Sequence, residues 1–154
     1  MNIVSQINKY LEAFLVNNLD EQHLIEIQTP ILSAIENANI VELILSISEF
    51  EPQIAYLETE LKTRELELAS RESKLNTDDA DFEQIAQDRG ISRGELLVNL
   101  GKEINEIKAR RERQYNSISV LKSWIRIIKS EVDKRIAGLS DEEKQTLYTN
   151  LTNV

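Results

Sequence analysis

Apolar side chains return at intervals of three and four residues along almost the whole chain, with charged and amide residues between them. That period predicts amphipathic helices from end to end. Ile3, Ile7, Tyr10, Leu11, Phe14 and Leu15 mark one face of a first helix over about residues 2–17, closed by Asn17, Asn18 and Asp20. Thr29-Pro30 reads as the start of a second, with Thr as cap and Pro at the first position, where its missing N–H costs nothing. The stretch that follows, ILSAIENANIVELILSISEF, is ambiguous: Val41, Leu43, Leu45 and Ile47 alternate like a strand, while Ile40, Leu43, Ile44, Ile47 and Phe50 suit a helix. No second strand candidate exists to take up a lone strand's hydrogen bonds, so this stretch is read as helix.

Pro52 permits a fresh helical start, and Ile54, Leu57, Leu61, Leu68 and Leu75 then share a seam, with Arg64 and Arg71 at the intervening positions and Leu66 off it. Asn76 to Asp79 breaks the helix. A short helix over about 80–88 ends at Gly90, and Ser92 with Glu95 forms a capping box that opens the longest element. From Leu97 the heptad steps are Leu100, Ile104, Ile107, Arg111, Gln114, Ile118, Leu121, Ile125, Ile128, Val132, Arg135 and Leu139, so ten of thirteen seam positions are apolar. Gly138 ends this helix. Ser140 to Glu143 opens a terminal helix with Leu147, Tyr148 and Leu151 inward.

These elements predict an all-α protein: an antiparallel coiled-coil hairpin, 53–75 against 93–137 within residues 51–139, between an acidic helical region (1–50) and a short C-terminal helix (140–154). In that register Leu75 lies near Leu97, Leu68 near Ile104 and Leu61 near Arg111. A helix from 93 to 137 is about 65–70 Å long at 1.5 Å per residue, more than one short partner covers. Beyond Ile118 the seam must face the N-terminal helices or a second copy. A homodimer is the expectation, with Ile118, Leu121, Trp124, Ile125, Ile128 and Val132 at its interface. Arg64, Arg71, Arg111 and Gln114 form a polar part of the seam that weakens packing and fixes register; arginine forks there would also suit a carboxylate or phosphate.

Charge divides the chain. Of the 27 acids and 18 bases, ten acids and only Lys9 lie before Lys62, a balance of −9, and the remainder is neutral. An acidic surface repels phosphate backbones and attracts basic proteins. The absence of Cys excludes disulfides, a thiol nucleophile and a cysteine zinc site. Neither a signal peptide nor an apolar run of membrane-spanning length is evident, so a cytoplasmic location is expected.

Chemistry-bearing residues are few. His23, the sole histidine, lacks metal-site spacing and reads as a surface or capping residue. Asp78, Asp79 and Asp81 lack the glycine and distant glutamate of a calcium loop and read as helix N-terminal acids. The basic run Lys108 to Arg113 is interrupted by Glu112 and reads as a solvated face. No phosphate-binding glycine loop or nucleophile elbow occurs. Catalysis, cofactor, metal and small-molecule substrate are therefore not expected. One motif has a nameable mechanism: Ile85-Ala86, Gly90-Ile91-Ser92 and Leu96 within residues 82–100. This spacing resembles the helix-turn-helix of bacterial DNA-binding domains, which implies a second helix entering the major groove with Arg93, Glu95 and Asn99 near the bases. Residues 80–113 hold seven acids against seven bases, whereas DNA binders carry a basic surplus. The sequence thus predicts a non-catalytic protein-binding module, with a DNA-binding regulator as the alternative.

Overall fold

The computed structural model describes residues 2–16 and 21–153. They form six helices: α1 (Ile3–Val16), α2 (Glu21–Asn37), α3 (Ile40–Leu75), α4 (Asp79–Arg89), α5 (Arg93–Ala137) and α6 (Asp141–Thr152), with no strand among the described residues. The fold is all-α. Asn17, Asn18 and Asp20, expected to close α1, lie outside the described residues.

Local chemistry sets most of the ends. The Asn2 side chain accepts from the backbone N–H of Ser5 at 2.7 Å, and Asp78 from that of Asp81 at 2.8 Å. Gly90 closes α4 in the left-handed region at φ 70°, its N–H reaching back to the α4 carbonyls. Ser92 accepts from the Glu95 N–H at 3.1 Å, and Ser140 with Glu143 makes a reciprocal capping box.

The structure departs from the periodic reading at four points. Pro30 does not start a helix: it sits inside α2, and the Thr29 hydroxyl, expected to cap, donates to the Ile25 carbonyl one turn back. Burial of Ile31 and Ile35 just beyond it holds the helix through the missing donor. Pro52 likewise lies inside α3, flanked by buried Phe50 and Ile54. The break falls instead at Ala38-Asn39, where Asn39 accepts from the Glu42 N–H at 2.9 Å and donates to its carboxylate at 3.0 Å. Leu96, not Leu97, enters the core: Leu96 is fully buried and Leu97 58% exposed, because α4 lies against the Leu96 side through Ala86. Tyr148 points out at 66% exposure, leaving Leu147 as the buried residue of α6.

The chain packs as two units, and the division runs through α3 and α5 rather than between them. The first unites residues 1–56 with 117–154. Its buried side chains include Ile7 of α1, Ile31 and Ile35 of α2, Leu43 and Phe50 of α3, and Leu121 and Ile128 of α5. The second, residues 57–116, is an antiparallel pairing of α3 and α5 joined by α4. There Leu68 packs on Ile104 and Ile107, as the heptad register requires, and Leu75 also meets the cluster of Ala86, Leu96 and Leu100. No helix is long and apolar enough to cross a membrane among the described residues.

Candidate functional site

The residues expected at a homodimer interface, Ile118, Leu121, Trp124, Ile125, Ile128 and Val132, are all buried within the single chain. The Trp124 ring meets Tyr10 of α1 edge to face at 5.4 Å, and Tyr10 stacks near Phe14 at 6.4 Å. Of the two covers open to this seam, the chain's own N-terminal helices are the one observed. Burial holds the Tyr10 phenol above its ordinary pKa.

The polar seam divides. Arg64 is held by its own helix, 3.0 Å from Glu60 and 2.7 Å from Glu67, and these carboxylates, chiefly the Glu67 hydrogen bond, raise its pKa further. Arg71 reaches Glu103 of α5 at 3.3 Å, and the same carboxylate holds Arg89 of α4 at 3.2 Å. One acid thus links three helices, a role the heptad pattern does not reveal because Glu103 lies off the seam. Arg111 and Leu61 line one groove, as the register predicts, together with Glu65 and Tyr115. The amide oxygen of Gln114 is buried without a hydrogen-bond partner. With Arg64 and Arg71 already neutralised, the four residues do not form an open cationic notch.

The last polar position of the α5 seam is structural in a way the sequence did not indicate. Arg135 donates to the carbonyls of Ile35 (3.0 Å), Glu36 (2.8 Å) and Ala38, and is held by Glu131 at 2.9 Å. These are the last carbonyls around the end of α2, whose final turn has no base of its own. Arg135 therefore caps α2 from another helix.

At the helix–turn–helix corner, Ala86 is buried at the crossing of α4 and α5 and Gly90 makes the turn. Arg93 is engaged: it pairs with Asp79 at 3.1 Å and Glu83 at 3.5 Å and lies over the Phe82 ring at 5.9 Å. Asn99 and Glu95 are exposed. Asp78 and Asp79 thus serve a cap and an ion pair. Among the described residues no group of three or more His, Asp and Glu is placed to hold a metal. The backbone of His23 lies in α2; its side chain lies outside the described residues.

Among the described residues of 1–56 the exposed charges are acidic apart from Lys9, whereas the α5 part of the same unit exposes Lys122, Arg126, Lys129 and Lys134. Glu12, Glu26, Glu36, Glu42, Glu49 and Glu51 are exposed. Two open grooves flank the first turns of α3 and share Glu42. One runs along α1, α2 and α3 over Ile3, Val4, Ala34, Ala38 and Leu45 to Glu49; the other lies between α3 and α6, over Ile40, Val41, Leu139 and Leu147. A third, between α2 and α5, carries the exposed Leu32 and Ile127. No protein-family model, no curated protein and no solved structure matches this chain.

Proposed function

We propose that this chain is a non-catalytic helical protein-binding module, an adaptor, scaffold or protein-directed inhibitor, that presents its acidic N-terminal face to a basic partner protein. The observation carrying this reading is the set of exposed glutamates on the first unit beside grooves with apolar floors. Acidic rims steer a basic partner, and apolar floors supply the contact area that charge alone lacks. A homodimer through the 118–132 seam is no part of this reading, since those side chains are buried in their own chain.

The test is affinity capture from native extract with the wild-type chain and a variant carrying Glu12→Lys, Glu26→Lys and Glu51→Lys. A protein retained by the first and lost by the second supports the reading; identical captures count against it.

A second reading, a DNA-binding regulator using residues 82–100, is favoured by the helix–turn–helix corner with exposed Asn99 and opposed by the acids on Arg93. A gel shift on genomic fragments at low salt that disappears with Arg93→Ala would promote it, because phosphate contacts are strongest there.

A further inference from the structure

The groove formed by α1, α2 and α3 has a more specific chemistry than the acidic face as a whole. Its floor is largely apolar, with Ile3 and Val4 from α1, Ala34 from α2 and Leu45 from α3, and includes the buried Ser46, whose hydroxyl donates to the Glu42 carbonyl. Alanine on that floor leaves room for another backbone to approach closely, and the cavity is about 350 Å³ and open along its length. Its α3 edge carries Glu42 and Glu49, both exposed. Among the described residues the Glu42 carboxylate accepts only the neutral Asn39 amide, and no Lys or Arg lines the groove. Two turns of helix separate the two acids, about 10 Å at 1.5 Å per residue. Throughout residues 1–61 the only base is Lys9 against ten acids, so the chain offers this edge no neutralising partner of its own nearby in sequence.

We infer that this groove is a docking site for a basic amphipathic helix of a partner protein, with apolar residues on the floor and Lys or Arg seven positions apart against Glu42 and Glu49. The inference rests on the protein-binding reading above and assigns it a place. Helix-in-groove recognition needs an apolar trough for anchors one turn apart, and this trough provides one. Charge complementarity selects the occupant: a nucleic acid or an anionic membrane meets repulsion at this edge, while a cationic helix is drawn to it.

The experiment titrates the full-length protein into three fluorescent peptides of about 18 residues, five turns of helix. One is a Leu/Lys amphipathic helix, one the same residues scrambled to destroy the apolar face, and one a Leu/Glu counterpart. The amphipathic Lys peptide should bind, and the other two at least about tenfold more weakly, a difference of about 1.4 kcal/mol. Two variants locate the site: Glu49→Lys reverses the edge charge, and Ala34→Leu fills the floor without altering charge. Each should weaken the Lys peptide about tenfold or more, with the helical spectrum retained. If Ala34→Leu proves unfolded, the exposed Glu49→Lys carries the test. Equal binding of amphipathic and scrambled peptides, unchanged binding by a folded Ala34→Leu, or no binding by the wild type overturns the proposal. So does self-association of the free protein that Glu49→Lys abolishes, since the occupant is then a second copy. A partner captured from extract that ignores Glu49→Lys but is lost with the triple lysine variant sinks the groove and leaves the protein-binding reading standing.

Discussion

Arg135 occupies a heptad position where leucine would add packing, yet its fork donates to carbonyls at the end of α2, whose last turn carries no base. Hydrogen bonds from a charged donor contribute more than neutral ones, and leaving partly buried carbonyls bare has its own cost. Arg135→Ala should therefore destabilise the fold by about 2 kcal/mol in urea unfolding, and Arg135→Lys should recover only part, because an ammonium lacks the planar fork. Tyr10 gives a test by pH. Its folded pKa lies above the unfolded value, so the unfolded chain ionises first as pH rises past about 10. The stability its burial confers is complete below that pH and is lost as pH climbs through the raised value. Thermal melts from neutral to strongly alkaline pH should show this loss in the wild type and a shallower decline in Tyr10→Phe.

At the scale of single elements, short-range signals and burial compete. Where a cap follows from one side chain and its own backbone, as at Gly90, Ser92 and Ser140, the sequence is enough to find it. Asn39 with Glu42 belonged to the same class and could have been found by its spacing, but a continuous apolar period across it concealed the break. Pro30 and Pro52 mislead in the opposite sense, since each is a good start signal that packing overrides. Substituting the exposed Pro52 by Ala restores the missing N–H and should raise stability by about 1–3 kcal/mol, read as a higher urea midpoint with an unchanged slope. Gly90→Ala meets no neighbouring atom, so backbone strain at φ 70° alone should cost about 1–2 kcal/mol.

For the molecule as a whole, the decisive fact is that the 118–132 stripe is covered from within. Light scattering should give 17.7 kDa for the protein alone, not twice that mass. Leu121 is fully buried in the first unit, so Leu121→Ala should cost about 2–5 kcal/mol in urea unfolding. Destabilisation well below that range would mean that the stripe is not enclosed as described. The candidate site was legible only in part: the charge asymmetry is plain in the residue order, but the grooves beside Glu42 arise from α1, α2, α3 and α6, elements distant in sequence.

Legible in the residue order alone were the helical class, the caps at Gly90, Ser92 and Ser140, the concentration of acid before Lys62, and, from the heptad period, the pairing of Leu68 with Ile104. Tertiary structure decided what depends on which apolar stripe finds which partner. It buried the far half of α5 within its own chain, with Trp124 against Tyr10 of α1, turned Leu96 inward in place of Leu97, and carried α2 and α3 through their prolines. The physical reason is that helix periodicity specifies a face to be buried, while the area gained on burial does not depend on where in the chain the covering residues lie.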